Sequence, residues 1–239
     1  MTVMLRILRS PRGGGAPFWQ TFRYALESEG DTVATALCAL NGRSHLTDAD
    51  GRPAEAIEWE CSCLQKKCGA CAMVINGRPR LACEAKLTSL GEGPIRVEPL
   101  RKFPVICDLV VDRSILFENL KTLRLWLESD AALDDRDQAL AYEASECLQC
   151  GCCLEICPNF YPGGAFYGMA TVPLTTRLLT EMDASVCRSL AKQYVKHTFE
   201  GCGRSLACKD VCPRNIDTEK LMVNANALAL WKRKRRKTR

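Results

Sequence analysis

The sequence of 239 residues lacks features that would assign it to several common classes of protein. No apolar run approaches the roughly 20 residues that a membrane-spanning helix needs. The dinucleotide-binding pattern G-x-G-x-x-G is absent, and Gly13-Gly14-Gly15 is followed by Ala16-Pro17, which favours a turn over a phosphate loop. These absences predict a chain that neither spans a membrane nor binds a dinucleotide by itself.

The sequence also predicts no secretory leader and no general excess of positive charge. Its first ten residues, MTVMLRILRS, contain no apolar core of signal-peptide length, so we expect a reducing compartment in which thiols stay free. The formal charge is +5, but seven of the 33 basic residues lie in the last eight positions, where a short charge run is usually solvated. Without them, 26 basic residues stand against 28 acidic ones, which predicts no general nucleic-acid surface.

Cysteine is abundant, and eleven of the 16 cysteines form three spaced groups. The first group has the plant-type ferredoxin spacing for a [2Fe–2S] centre and contains Cys63, Cys68, Cys71 and Cys83. The second has the bacterial ferredoxin spacing, ends at Pro158, and contains Cys147, Cys150, Cys153 and Cys157. The third repeats that frame with Ser205 at one ligand position and contains Cys202, Cys208 and Cys212.

Paired bacterial-type runs predict two clusters with crossed ligands, because the last cysteine of each run binds the other run's cluster. A [4Fe–4S] cluster would therefore be held by Cys147, Cys150, Cys153 and Cys212. The other cluster would be held by Cys157, Cys202 and Cys208, with Ser205 at the corner that lacks a thiolate. A corner iron without a thiolate is easily lost, which favours [3Fe–4S]. Oxygen ligation by Ser205 in a full cubane is the alternative.

Zinc and disulfides are alternative uses for clustered cysteines. Zinc ribbons usually show two short pairs of cysteines, whereas the first group has three cysteines in one tight loop and a fourth, Cys83, later in the chain. This spacing disfavours zinc. A Rieske centre needs two histidines in the cysteine loops, and His45 and His197 lie outside them. We expect the five remaining cysteines to be small buried hydrophobic residues, namely Cys38, Cys61, Cys107, Cys152 and Cys187.

Local sequence patterns predict an α+β fold with two domains. Strands and one helix are expected over residues 1–105, with a helix capped by Asp31 or Thr32 and a hairpin at Asn76-Gly77. This is the pattern of a β-grasp plant-type ferredoxin domain carrying the [2Fe–2S] centre. The predicted strands are Leu5–Leu8, Phe18–Tyr24 and Ile95–Glu98.

Helical periods dominate after Pro99 and Pro104, and predict a helical bacterial-type two-cluster ferredoxin domain over residues 106–239, with a basic C-terminal tail. One helix would begin near Ser114 and carry an apolar stripe of Leu116, Leu120, Leu123 and Leu127. Two more are predicted over Asp137–Glu146, leading to Cys147, and over Thr218–Trp231, capped by Asp217.

The order of these cysteine groups resembles the iron–sulfur subunit of the succinate dehydrogenase and fumarate reductase family. The resemblance covers nearly the whole chain and extends to Asp108–Asp112 and Asp210–Pro213. It implies an electron-transfer subunit of an oxidoreductase complex with three clusters, in the order [2Fe–2S], [4Fe–4S], [3Fe–4S]. These would link a FAD-containing flavoprotein, which interconverts succinate and fumarate, to quinone.

The resemblance also implies a place for this subunit and its quinone. It would be peripheral on the cytoplasmic face of the cell membrane, held by one or more anchor subunits, to which any haem b would belong. Ubiquinone-reducing members typically have Trp a few residues after the fourth cysteine of the second group, and His after the first cysteine of the third. This chain has Asn159–Pro162 and Gly203 there, which favours menaquinone and makes fumarate reduction at least as plausible as succinate oxidation.

Two other functions remain open at this point. The same cluster arrangement serves other flavin dehydrogenases and thiol-dependent fumarate or disulfide reductases. A nucleic-acid-binding protein stabilised by clusters would use the basic terminal run, but the charge balance elsewhere predicts no nucleic-acid partner.

Overall fold

A computed structural model of the protein describes residues 1–127, 130–131, 135–182 and 184–231. The basic run at 232–239, predicted to be a solvated tail, lies outside the described residues. The chain divides into two compact units, Met1–Arg113 and Ser114–Arg239. Strands occur only in the first of these, among the described residues, and most helices belong to the second, so the α+β fold class is confirmed.

The first unit contains a mixed sheet of five strands in the order β2-β1-β5-β3-β4. Strand β1 pairs antiparallel with β2 and parallel with β5, and β3 pairs antiparallel with both β4 and β5. A helix, α1 (Val33–Asn41), separates β2 from β3 in the chain. The strands are β1 Thr2–Arg9, β2 Phe18–Ala25, β3 Ala72–Ile75, β4 Arg78–Leu81 and β5 Ile95–Glu98.

Local chemistry sets these elements where the sequence predicted them. Thr32 caps α1 by accepting a hydrogen bond from the Thr35 backbone amide. Asn76 and Gly77 both have positive φ, 48° and 78°, as the tight turn between β3 and β4 requires. The predicted α1 helix and hairpin are therefore confirmed.

A two-stranded ribbon, β6 (Val105–Cys107) and β7 (Val110–Val111), closes the first unit. Between these strands the buried Asp108 pairs with Arg9 at 2.9 Å and accepts hydrogen bonds from the backbone amides of Ser10 and Glu58. These contacts group residues 106–113 with the first unit, although the sequence predicted that the second domain begins at residue 106.

The second unit is helical. A 3-10 turn at Met169–Thr171 precedes α5, and a π-helical turn at Val195–Phe199 follows α6. The helices are α2 Ser114–Thr122, α3 Gln138–Ser145, α4 Cys152–Ile156, α5 Val172–Glu181, α6 Ala184–Tyr194, α7 Ala207–Asp210 and α8 Thr218–Ala229.

Two of the helices predicted for this unit match closely, and one differs. Helix α3 leads to Cys147, and Asp217 caps α8 by accepting from the Lys220 amide. Helix α2 instead ends at Thr122, and Leu127 is 49% exposed, so the predicted four-leucine stripe is wrong beyond Leu123. Arg124 has a φ of 53°, a left-handed conformation that a continuing helix cannot contain.

A hydrophobic core forms between α3, α5, α6 and α8 and supports the cysteines. It is built around the buried residues Leu140, Met169, Val172, Tyr194 and Leu221. Four half-buried cysteines pack against it, namely Cys147, Cys153, Cys208 and Cys212. In the part of the chain that the structure describes, no helix has the length and apolar character needed to cross a membrane.

Candidate iron–sulfur cluster sites

The first cysteine group lies in a loop whose backbone amides point at the sulfur atoms. The amides of Gln65 and Lys67 each lie 3.3 Å from Cys63 Sγ, and the Lys66 amide lies 3.3 Å from Cys83 Sγ. Leu64 and Lys66 have φ values of 52° and 59°, which turn successive N–H groups into the loop. This loop thus presents sulfur acceptors that already receive amide donors.

The electrostatics of these cysteines fit a negatively charged cluster. Hydrogen bonds from the backbone amides of Gln65 and Lys67 lower the pKa of Cys63 to about 7, so its thiolate forms near neutrality. Burial raises the pKa of Cys71 to about 12, which means that a bare Cys71 thiolate is costly there. Bound iron would offset that cost, because metal ligation stabilises the deprotonated thiol.

The second group brings its thiols together with the distant Cys212. Burial is the main cause that raises the pKa of Cys147, to about 11, and charge on Cys150 and Cys212 raises it further. Burial also raises the pKa of Cys153, and charge on the neighbouring cysteines raises it further, namely Cys150, Cys147, Cys208 and Cys212. Cys147, Cys153 and Cys212 also pack against one hydrophobic core, so the structure brings residues of the predicted [4Fe–4S] set into one region, and Cys208 of the third group packs against the same core.

Gln149 adds a side-chain donor to this group. Its Nε2 donates to Cys147 Sγ at 3.2 Å and to the Ala170 carbonyl at 2.9 Å. Gln149 has a φ of 51°, a left-handed conformation between two predicted ligands. The side chain is therefore fixed with its amide against a predicted ligand sulfur.

The third group repeats the backbone of the second. Gln149 and Gly151 have φ values of 51° and 87°, and the corresponding Arg204 and Leu206 have values of 54° and 56°. Each loop leads into a short helix, α4 or α7. Ser205 therefore occupies the backbone position that corresponds to Cys150.

A cavity lies beside this loop and is lined by the predicted third-cluster residues Cys157, Cys202 and Cys208, together with Ser205. Burial raises the pKa of Cys208, and the neighbouring Cys157 and Cys202 raise it further. The other walls come from several elements and include Asn159, Phe166, Tyr194, Thr198, Phe199 and Met222. Cys157, the fourth cysteine of the second group, therefore lines the same cavity as Cys202 and Cys208 of the third group, as the crossed pattern predicts.

Not every expectation about cysteine is met. Cys38 and Cys61 are exposed, so the prediction that they are buried hydrophobic residues is wrong. Cys38 lies on the outer side of α1, whose opposite side is buried, and Cys61 lies in the loop that leads to Cys63. Cys107 and Cys152 are buried, as predicted, and Cys187 is half-buried.

Some features of the sites carried no readable sequence signal. Leu206 adopts the left-handed conformation that glycine has at position 151, and the π-helical turn places Thr198 and Phe199 on the cavity wall.

Among the described residues, no three His, Cys, Asp or Glu side chains converge around the position of a single metal ion. The assignment of ligands to each cluster stays a prediction.

Comparison with known proteins places the chain in a family. It is 32% identical over 227 residues to the succinate dehydrogenase iron–sulfur subunit of Bacillus subtilis, covering 90% of this chain and 87% of that protein. The chain belongs to the family of succinate dehydrogenase and fumarate reductase iron–sulfur subunits. It is also 30% identical to the fumarate reductase iron–sulfur subunit of Mycobacterium tuberculosis, covering 87% of this chain and 84% of that one.

Two further comparisons support the cluster and the fold. The profile of the 2Fe-2S iron-sulfur cluster binding domain family matches residues 4–118. A chain of the Mycobacterium smegmatis Sdh1 complex in the apo form superposes with a TM-score of 0.73 and 23% identity over 98% of both chains. The protein is therefore an electron-transfer iron–sulfur subunit of an oxidoreductase, with a [2Fe–2S] ferredoxin domain.

Proposed function

We propose that this subunit carries electrons between a FAD-containing flavoprotein, which interconverts succinate and fumarate, and menaquinone at a membrane anchor. The observation that carries the proposal is the cavity where Cys157, Cys202 and Cys208 meet Ser205, because it offers three thiolates where a cubane needs four. When bound, iron–sulfur clusters supply one-electron redox centres. The subunit would lie on the cytoplasmic face of the cell membrane, held by its anchor.

We propose the following division of ligands. The first unit is a β-grasp ferredoxin domain that holds [2Fe–2S] through Cys63, Cys68, Cys71 and Cys83. The second is a helical two-cluster ferredoxin domain that holds [4Fe–4S] through Cys147, Cys150, Cys153 and Cys212, and [3Fe–4S] through Cys157, Cys202 and Cys208. Amide donors at Cys63 and the mutual proximity of the later thiols support this division.

The choice of menaquinone rests on Asn159 and Gly203, two residues that line the cavity of the third cysteine group. The Asn159 Nδ2 atom donates to the Gly201 carbonyl at 2.7 Å. A Cβ atom at Gly203 would lie 3.0 Å from that Nδ2, so a side chain at position 203 would require the Asn159 amide to shift by a few tenths of an ångström. Both residues line the cavity of the third cysteine group, where ubiquinone-reducing relatives are expected to carry Trp and His. We infer that menaquinone is bound largely by the anchor.

The quinone bears on the direction of turnover. Menaquinol is a stronger reductant than ubiquinol, so electrons from it reach fumarate more favourably. We therefore propose that fumarate reduction is at least as favoured physiologically as succinate oxidation. Any haem of the complex belongs to the anchor.

Steady-state assays of the purified complex test this proposal. We expect faster turnover with naphthoquinone-type than with benzoquinone-type substrates of matched side chain, and menaquinone in the organic extract of the complex. Faster turnover with the benzoquinone series would contradict the quinone assignment. Fumarate reduction that depends on thiols, with no quinone activity, would favour a thiol-dependent reductase instead.

The contact from Gln149 to Cys147 predicts an effect on the second cluster. Replacing Gln149 with Met removes the donor and keeps the length of the side chain. A hydrogen bond to a charged group contributes about 1.5–3 kcal/mol, and the share that favours the reduced cluster raises its potential. We expect the [4Fe–4S] potential to fall by on the order of tens of millivolts, measured by redox titration with electron paramagnetic resonance.

The exposed Gln193 on α6 provides a matched control for that variant. Gln193→Met should leave the potential of the [4Fe–4S] cluster where it is in the unsubstituted protein. An unchanged potential in a fully loaded Gln149→Met complex would show that the amide does not act on the cluster.

A further inference from the structure

Arg113, the last residue of the first unit, reaches back to the loop of the first cysteine group. Its Nη1 donates to the Gly69 carbonyl at 3.1 Å, and its Nη2 donates to the Ala70 carbonyl at 2.6 Å. Nη2 also lies 2.6 Å from the Glu60 carboxylate. The Arg113 side chain is only 13% exposed, so its bonds to the two carbonyls are partly shielded from water, whereas the Glu60 side chain is 45% exposed. One guanidinium therefore joins both ends of the loop segment that precedes Cys71.

The two carbonyls belong to the peptide groups that lie between the predicted ligands Cys68 and Cys71. The peptide group that contains the Gly69 carbonyl also contains the Ala70 amide, which lies 3.5 Å from Cys68 Sγ. The next peptide group joins the Ala70 carbonyl to the amide of Cys71. A hydrogen bond to a carbonyl polarises the N–H of the same peptide group, so bonds in such a chain strengthen each other. Arg113 thus polarises the Ala70 amide that faces Cys68 Sγ, and it holds the Ala70–Cys71 peptide group in place through the Ala70 carbonyl.

The charge of Arg113 also acts on this site. Reduction adds one negative charge to a cluster that four thiolates already make negative. The Arg113 cation, 13% exposed and close to the ligand loop, stabilises the reduced state more than the oxidised one because water screens it incompletely, and the Glu60 carboxylate offsets part of this effect. Both the polarised amide and the positive charge therefore raise the reduction potential.

We propose that Arg113 is a positioning residue that orients the Gly69–Ala70 and Ala70–Cys71 peptide groups and raises the reduction potential of the [2Fe–2S] centre. This inference rests on the proposed ligand set Cys63, Cys68, Cys71 and Cys83. The planar guanidinium is suited to the role because it presents several donors in a rigid fork, whereas a lysine ammonium is a point charge on a flexible stem. The segment after β7 thereby becomes part of the cluster site.

Three variants of the intact complex separate the charge from the geometry. Arg113→Gln removes the charge and the fork, and Arg113→Lys keeps the charge alone. Arg96→Gln is the control, because Arg96 is an exposed arginine of the same unit that pairs with Glu98 instead of the loop. Each complex is titrated under electron paramagnetic resonance, which reports the potential and the line shape of the reduced [2Fe–2S] centre.

At a fixed ambient potential, we expect Arg113→Gln to lower the ratio of reduced to oxidised [2Fe–2S] about tenfold, which is 59 mV for a one-electron couple. Arg113→Lys should show a smaller fall with an altered line shape, and Arg96→Gln should match the unsubstituted complex. A structural role alone would lower cluster content without moving the potential of the clusters that remain.

The inference is overturned if loaded Arg113→Gln keeps the potential and line shape of the unsubstituted protein. Where Arg113→Gln does not assemble, Arg113→Lys decides, and an unsubstituted potential and line shape in that variant overturn the inference as well. Absence of any [2Fe–2S] signal from the unsubstituted complex is a different result, because it refutes the proposed ligand set.

Discussion

Replacing Ser205 with cysteine should convert the third cluster from [3Fe–4S] to [4Fe–4S]. In the unsubstituted protein we expect about nine irons per chain, as two plus four plus three, and a paramagnetic signal from the oxidised [3Fe–4S] centre. In Ser205→Cys the iron content should rise to about ten. The oxidised-state signal should disappear, and a reducible cubane should replace it.

The backbone of the two loops is the reason to expect this conversion. Ser205 lies between Arg204 and Leu206, whose φ values of 54° and 56° match the left-handed positions on either side of Cys150. A cysteine at position 205 would therefore start from the same backbone geometry as a predicted [4Fe–4S] ligand. The change from Oγ to Sγ adds little volume, and Ser205 is exposed, so the loop can accept it.

Iron analysis and electron paramagnetic resonance of the oxidised complex provide the measurement. Ser189→Cys is the control, because Ser189 is an exposed serine on α6 that does not line the cavity, and it should leave both readouts unchanged. An unchanged oxidised-state signal in fully loaded Ser205→Cys would count against the ligand assignment. A full cubane in the unsubstituted protein would instead support oxygen ligation by Ser205.

Features that depend on a few neighbouring residues could be predicted from the sequence. The Thr32 cap, the Asn76-Gly77 turn and the Asp217 cap each follow from the chemistry of one short segment. Cluster sites could be predicted from the spacings of the cysteines for the same reason, because one short loop must wrap around one cluster. The family follows from those spacings, and comparison with relatives confirms it.

Features set by distant contacts could not be predicted in this way. The end of the first unit depends on Asp108 binding Arg9, Ser10 and Glu58, and on Arg113 binding Glu60 and two carbonyls. Residues 55–71 supply most of these partners, far from residues 106–113 in sequence. Leu206 is a further case, because a leucine gives no local signal for a left-handed backbone.

Replacing Gly201 with alanine should destabilise the second unit and deplete its third cluster. A Cβ atom at position 201 would lie 2.5 Å from Phe166 Cδ2 and 2.6 Å from both Cβ and Cγ of that residue. Cβ of Phe166 is tied to its backbone, so the ring cannot simply rotate away. Overpacking of this kind costs about 1–3 kcal/mol.

The consequence reaches the cluster because Gly201 precedes Cys202 directly and Phe166 lines the same cavity. The Gly201 carbonyl also accepts the Asn159 hydrogen bond that ties the second cysteine run to the third. Movement at position 201 would therefore displace a predicted ligand. We expect the [3Fe–4S] signal of Gly201→Ala to fall severalfold while the [2Fe–2S] signal per chain is kept.

Gly30→Ala is the matched control, because its Cβ would meet only Ser28 Oγ at an ordinary 3.5 Å. That variant should keep all three cluster signals and the unfolding temperature of the unsubstituted protein. Combining Gly201→Ala with Phe166→Ala should restore part of the lost [3Fe–4S] signal, since the double substitution removes the clash that the single one creates. Equal loss in the single and double variants, each measured against Phe166→Ala, would show that contact with Phe166 is not what excludes a side chain at position 201.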